Sequence, residues 1–540
     1  MDERQGAPPP VRGVPHPRVQ LDAVRLDALI RRLPRGSGPG PLGSRFEHWQ
    51  VLLGHPGMDD LHGVLELLAG GTCPEEVLNA LLVCRLVPLE KGQGRVPPIG
   101  IPDTLRRSTA RALCVQHEAA AREAVGPHQY AVGRAAGVET VIHATHALSE
   151  ARPNLVWLSL DAENAYNTVH RASALWAAEA HLPTLAPFAN MCLSRRSRYL
   201  YWDHRGSHRW IYAQEGVGQG DPLSPLYFSL AVRAPLERVR QRLHDMANPD
   251  ELHDIHVYAY LDDVLLAVPS RLAAAALTVA TEELRTCGLV LNRDKCKAWS
   301  PGTARPPGNH ALHALWEDHG LRILGAPFGG DIAAPLGTAS YVETFLRDRA
   351  DAALALVRKI GDLPSQALQP FPAAQLSFAL LRACGNTLIG HLLRTLPPEA
   401  TDGLAHRFDA GVLATFREVG GLDPFTPSQE AQVRLPLRHG GCALAAATTI
   451  APAAWLGSWL QCLGDVATAT ALPHLHHLTT EGRAPRGELL GHGGPRGTGH
   501  QLGRCGHTHF ATPTTPTHPG TPKPCPTTGP GRDPCLGRQG

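Results

Sequence analysis

The stretch Ile255–Val268, IHVYAYLDDVLLAV, sets two adjacent carboxylates, Asp262 and Asp263, between two apolar arms. The arms carry β-branched and aromatic residues and the polar break falls in the middle, which is the sequence form of a hairpin with acids at its turn. Side chains alternate faces along a strand, so the two acids cannot share a face within a regular strand, whereas a tight turn lets them converge. Carboxylates inside an apolar run need a cation or hydrogen-bond donors to offset their desolvation, and a divalent metal is the obvious compensation. A solvated Asp-Asp turn between ordinary strands is the competing reading, and a third carboxylate in a similar setting upstream weighs against it.

That carboxylate is Asp161. It closes NLVWLSL, Asn154–Leu160, an apolar run of strand length that suggests a strand buried on both faces. The residues that follow, AENAYNTVHRASALWAAEA, turn helical. A strand end where a helix begins suits a catalytic carboxylate and a helix N-cap equally. Glu215–Pro225, EGVGQGDPLSP, holds three glycines and two prolines. Such a loop lets backbone approach a ligand closely, although a plain connector reads the same way, and the helix after it is expected to kink at Pro235.

With 540 residues, 43% hydrophobic and 19% charged, the chain has the composition of a globular protein of several domains. A formal net charge of +2 means that a polyanionic partner must be held by local arginines. Candidate clusters are Arg31, Arg32 and Arg35; Arg106, Arg107 and Arg111; Arg195, Arg196 and Arg198; and Arg233, Arg238, Arg240 and Arg242. Twelve cysteines without C-x-x-C spacing argue against a zinc ribbon and a secreted disulfide framework, so an intracellular setting, nuclear or cytoplasmic, is expected. Neither a membrane-spanning apolar run nor a signal peptide is expected.

Along the chain, residues 1–20 and 473–540 read as disordered, the latter rich in Pro, Gly, Thr and His. LDAVRLDALIRRL from Leu21 suits a helix ended by Pro34. Ser44 with Glu47, and Thr72 with Glu75, predict capping-box helix starts. Leu86–Leu113 predicts strand, Gly-rich turn, strand and basic helix, with Lys91 and Arg95 flanking a turn where two cations could meet a phosphate, although a plain hairpin with surface cations reads the same way. Pro127–Leu148 predicts a loop into a helix, GLVLNRDKC a strand and a lysine, Lys295, and LRILGAPFGG a hairpin. Residues 340–464 read as helical.

Taken in order, Asp161 with AENAYN, then EGVGQGDPLSP, YLDD, GLVLNRDKC and LRILG resemble the successive palm motifs of reverse transcriptases, closest to the non-LTR retrotransposon type. The likeness runs upstream through LVPLEKGQGRVPPIGIP and PHQYAVGRAAGVET and covers roughly residues 21–460. It implies an α+β right-hand polymerase: fingers over 21–153, a palm of antiparallel strands backed by helices over 154–336, and a helical thumb over 337–472. The implied activity is RNA-directed DNA synthesis on an RNA template with a DNA primer and dNTPs, using two Mg²⁺ ions, with Mn²⁺ as a substitute.

By the same resemblance Asp161, Asp262 and Asp263 are the metal-binding catalytic triad and Lys295 protonates the leaving pyrophosphate. Tyr166 closes the sugar pocket against a 2′-hydroxyl, and Gln219 and Gly220 lie by the incoming nucleotide. The family's finger strand carries Arg-Pro-Ile where this chain has Pro97, Pro98 and Ile99. Arg95 or Lys91 would then have to grip the triphosphate. A decayed relative that keeps the fold and RNA binding is the alternative this departure motivates.

Overall fold

In the computed structural model, which describes residues 19–88, 98–305, 310–329, 340–366 and 370–480, ten strands form. They are β1 (Val83–Pro88), β2 (Pro98–Pro102), β3 (Leu155–Leu160), β4 (Ser197–Trp202), β5 (His208–Ala213), β6 (His256–Tyr260), β7 (Asp263–Pro269), β8 (Lys297–Trp299), β9 (Gly320–Ile323) and β10 (Ala326–Gly329). The central sheet has the order β6-β7-β3-β8 with every neighbour antiparallel. Its middle is apolar on both faces: Val156, Trp157, Leu158, Leu266, Ala267 and Val268 are fully buried. Helices supply the cover. The long helix Ser224–Met246 packs against Arg171–His181 and Ala273–Arg285, and Pro235 lies within it. One continuous core runs from Val19 to Trp316 through these elements and the N-terminal helices Ala23–Arg32, Gly57–Ala69 and Thr104–Gln116.

A second four-stranded sheet, order β2-β1-β4-β5, is antiparallel except where β1 runs parallel to β4. Its outer hairpin β4–β5 was not anticipated from the sequence. The C-terminal helices Tyr341–Gly361, Pro398–Gly420 and Ala447–Thr470 enclose a separate core around Phe408. The last of them reaches back to helix Gly137–Ala151, where the His143 ring stacks on Trp459 at 4.3 Å and its Nε2 meets Ser458 Oγ at 2.8 Å.

Several expectations are corrected. The helix predicted from Ser44 begins at Phe46, because the Ser44 hydroxyl is taken by Asp103 Oδ2 (3.2 Å) and Thr104 at the start of another helix. Thr72 donates to Leu67 O, and Pro74 precedes the helix Glu75–Leu81 in its place. GLVLNRDKC gives a single bridge at Leu291 and a turn holding Lys295, because residues 287–292 pair with the irregular segment after Asp161 and not with a strand. Residues Pro473–Thr480, expected to be disordered, form a helix with Leu475 fully buried. Residues 481–540 and 1–18 lie outside the described residues.

Most of the arginine clusters are engaged internally. Arg106 pairs with Asp221, Arg107 donates to Gly38 O, and Arg238 and Arg242 both pair with Glu283. Among the described residues one stretch, Pro372–Thr395, is long and apolar enough to cross a membrane by length and composition, which the sequence reading missed. The fold interrupts it with a 3₁₀ turn at Gly385–Thr387, and Leu381, Ile389, Leu392 and Leu393 enter the second core.

Four histidines are held neutral by burial: His143 is pushed down to about 3, and His128, His146 and His256 to about 4. Below the ordinary histidine range, near 6.5, the unfolded chain binds protons that the folded chain refuses. Stability is therefore full above that value and falls as pH drops toward 4. The urea midpoint should be lower at about pH 5 than at about pH 7.5; an unchanged midpoint would mean that these imidazoles are solvated.

Candidate active site

The register of the central sheet decides the geometry. Leu160 pairs with Val264, so Asp161, one residue past the end of β3, arrives beside Asp263 at the start of β7. Tyr260 pairs with Asp263, which leaves Leu261 and Asp262 as the two-residue tip of the β6–β7 hairpin. Desolvation against the cleft wall, with Asp262 and Asp161 adding like charge, raises the Asp263 carboxyl to about 6. Arg322, on β9, pulls in the opposite direction. Lys295 places Nζ 3.1 Å from Asp161 Oδ1, and the turn that carries it is tied down by Asn292 N–H donating to Asp161 O at 2.8 Å. Asp161, Asp263 and Lys295 line one open cleft of about 810 Å³, together with Lys297, Glu317, Arg322, Tyr260 and Tyr341.

Tyr166 joins this cleft to the glycine loop. Its ring stacks on Phe228 at 4.9 Å with 9° between planes. Burial raises its phenol well above the ordinary range, and the nearby Asp262 carboxylate adds to the shift. Its carbonyl accepts Val217 N–H at 2.7 Å. Two glycines of the loop are obligatory. A Cβ on Gly216 (φ +73°) would stand 2.4 Å from Asn167 O, and one on Gly220 (φ +116°) 2.3 Å from Gly100 O. Gly100 N–H donates to Gln219 O at 2.8 Å, so β2 and the loop are stitched together beside a smaller cavity of about 320 Å³ that Gln219 lines. Arg171, buried, donates to Gly216 O and Arg195 O, both at 2.7 Å. The structure thus gathers Asp161, Asp262, Asp263, Lys295 and Tyr166, and sets Gln219 in the wall of the smaller cavity with Gly220 packed against Gly100 O. Lys91, Arg95 and Pro97 lie outside the described residues.

Gln129 escaped the sequence reading. Leu261 is in the left-handed region (φ +56°), a conformation that costs a leucine roughly 1–3 kcal/mol. Fully buried Gln129 holds it from both sides: its Oε1 accepts Leu261 N–H at 2.8 Å and its Nε2 donates to Leu261 O at 3.4 Å. The neighbouring backbone adds Tyr130 N–H to Ala259 O at 2.8 Å and Ala259 N–H to His128 O at 2.7 Å. The only sequence signal was an amide residue amid PHQYAVG, which says nothing of a partner 132 positions away. Arg322 and Lys297 were also missed. Strand alternation could have suggested Arg322, since Leu321 and Ile323 on either side of it are buried.

Among the described residues no three His, Cys, Asp or Glu side chains stand as a finished coordination shell, and Asp161 is turned to Lys295. The donor chemistry nevertheless fits a hard divalent cation, because three neighbouring carboxylates, whose like charge contributes to the shift of Asp263, are oxygen ligands of the kind such a cation takes.

Acids brought together by two adjacent antiparallel strands and a hairpin tip, beside a glycine loop and within an α+β frame, define the palm of a right-hand polymerase. Residues 89–328 match the model of the reverse transcriptase (RNA-dependent DNA polymerase) family, and this segment is a reverse transcriptase domain. The chain is 24% identical over 462 residues to the retrotransposable element SLACS 132 kDa protein of Trypanosoma brucei gambiense, covering 83% of this chain and 35% of that one. It is 28% identical over 264 residues to the transposon TX1 uncharacterized 149 kDa protein of Xenopus laevis, covering 45% and 19%. The chain therefore spans about a third or less of the length of these relatives. Among solved structures, telomerase from Candida tropicalis aligns with 74% of this chain and 69% of its own at 10% identity and a TM-score of 0.39. Telomerase from Candida albicans in complex with a telomeric RNA fragment covers 76% and 67%, with 12% identity and a TM-score of 0.36.

Two outcomes test the geometry without any activity. Gln129→Ala strands the Leu261 peptide groups, at a cost of about 1–3 kcal/mol, and should speed amide exchange at Leu261 by roughly tenfold or more while the melting transition stays cooperative. Unchanged exchange there would show that the clamp does not hold the turn. Gly220→Ala should lower stability by about 1–3 kcal/mol in urea titration through the contact with Gly100.

Proposed function

We propose that the chain is an RNA-directed DNA polymerase of a non-LTR retroelement, adding deoxynucleotides from dNTPs to a primer 3′-hydroxyl on an RNA template. The observation that carries this is the β3–β7 register, which puts Asp161 beside Asp263 in the cleft, with Asp262 at the hairpin tip near Tyr166, whose carbonyl is tied to the glycine loop. In the reaction the 3′-oxygen forms a bond to the α-phosphorus, the bond from that phosphorus to the pyrophosphate oxygen breaks, and the hydroxyl proton is released. Bound by Asp161, Asp262 and Asp263, divalent cations (two Mg²⁺, with Mn²⁺ as a substitute) supply Lewis-acid activation and neutralise charge on the transferring phosphate.

The chain's own residues do the rest. Lys295, beside Asp161, is placed to protonate pyrophosphate as it leaves. The Tyr166 ring, fixed by Phe228, fills the space that a 2′-hydroxyl would need. The Gln219–Gly220 backbone lies along the nucleotide and template, pinned by Asp221, whose carboxylate pairs with Arg106 at 2.6 Å. Positively charged side chains of the cleft hold the nucleic-acid backbone without reading bases.

Purified protein should extend a DNA primer on an RNA template with dNTPs and Mg²⁺, and Asp262→Asn should lower the rate by more than about a hundredfold, the scale of losing a group that stabilises transition-state charge. Folded protein that binds RNA without extending a primer would favour the decayed relative that Pro97 motivates. Tyr166→Ala should raise the ratio of ribonucleotide to deoxynucleotide incorporation by about tenfold or more, read from single-nucleotide additions. An unmoved ratio would remove the sugar-selecting role from Tyr166.

A further inference from the structure

The β4–β5 hairpin is the least covered part of the second sheet: β5 is an edge strand, and all of its residues except Ala213 are exposed. Pairing of Arg198 with Tyr212, Leu200 with Trp210, and Trp202 with His208 puts these six side chains on one face. Trp202, Trp210 and Tyr212 each remain more than two-fifths exposed there. The opposite face carries Tyr199, Ile211 and Ala213, which line the cavity shared with Gln219. The aromatic row therefore looks away from the Gln219 loop.

Its charge is one-sided. Residues 194–213 include Arg195, Arg196, Arg198, Arg205 and Arg209 against the single acid Asp203. Asp203 is engaged in the hairpin turn, accepting the N–H groups of Arg205 and Ser207, both at 2.9 Å. Arg195 and Arg198 are tied to Glu75 and Asn79 O. On the aromatic face Arg196 lies over the Tyr212 ring at 4.3 Å and Arg198 over the Trp210 ring at 5.9 Å; Arg205, in the turn, extends into solvent, and Arg209 does so from the opposite face. Exposed rings interleaved with guanidinium groups are the surface on which unpaired bases stack while the cations follow the phosphates. An apolar partner protein would meet this excess of positive charge unfavourably, whereas a polyanion complements it.

We propose that this outward face binds a single-stranded stretch of the RNA template outside the reaction cleft, without sequence preference. The choice of RNA rests on the reverse transcriptase reading; the platform itself rests on the hairpin geometry. Binding of a fluorescein-labelled oligouridylate to the full chain, followed by anisotropy with a saturating annealed primer–template already present, tests it. The unmutated protein should still bind the oligouridylate under those conditions, with a steep loss of affinity as salt rises. The double variant Trp210→Ala/Tyr212→Ala should bind it about tenfold or more weakly, with an unchanged circular dichroism spectrum and single-nucleotide extension on the short primer–template within about twofold. Complete displacement of the oligouridylate by the primer–template, or equal affinity in the double variant, would overturn the proposal. Either result can be read whether or not the chain extends primers, so it stands apart from failure of the polymerase assay.

Discussion

The pairing of β3 with β7 is the interaction on which the site depends. Side chains alternate with a period of two, so a slip of one residue would turn every inward residue outward and carry Asp161 away from Asp263. The slip is prevented by burial, since Val156, Trp157, Leu158, Leu266, Ala267 and Val268 are all inaccessible to solvent. Two apolar arms hold three charges in place, and the charges sit at the ends of the strands because that is where the apolar run can stop without leaving a carboxylate inside. The Asp263 carboxyl is raised first by its burial and then by the like charge of Asp262 and Asp161.

Around that ladder, buried polar groups hold the surfaces a substrate would touch. Gln129 fixes the strained Leu261 turn, Arg171 ties the glycine loop to Arg195 and Ser197, and the buried pair Arg106–Asp221 links the same loop to helix Thr104–Gln116. Each group has hydrogen-bonding partners, the condition under which polar burial defines one geometry at tolerable cost. Further out, Asp465 on helix Ala447–Thr470 pairs with Arg122 at 2.7 Å and Arg134 at 3.1 Å, and Arg394 pairs with Glu139 at 2.7 Å. The two cores are thereby joined by ion pairs as well as by the His143–Trp459 stack. So many arginines are engaged inside the fold that the near-neutral net charge says little about how basic any one surface is.

The elements easiest to read were those whose pattern is local. β3, the β6–β7 hairpin, the β9–β10 hairpin and the helices after Gly220 and Ser270 follow from apolar runs, turn residues and helical spacing. The two capping boxes failed because a hydroxyl can bond to any donor or acceptor in reach, and Ser44 found Asp103 across 59 positions. The strand expected at GLVLN failed because Leu289 and Leu291 are buried beside irregular backbone while Val290 stays exposed. The hairpin β4–β5 has no buried face of its own strong enough to announce it.

By itself the sequence singled out the candidate residues: three acids, a lysine, an aromatic and a glycine loop, in an order that resembles one family of polymerases. Composition and spacing reach that far because apolar runs and turn residues act on neighbours in the chain. Only the tertiary structure decided that Asp161 stands beside Asp263, that Lys295 meets Asp161, that Gln129 holds the turn, and that Trp202, Trp210 and Tyr212 share an outward face. Those facts depend on register and on contacts between residues up to 134 positions apart, set by the summed burial of the whole core and not by any local pattern.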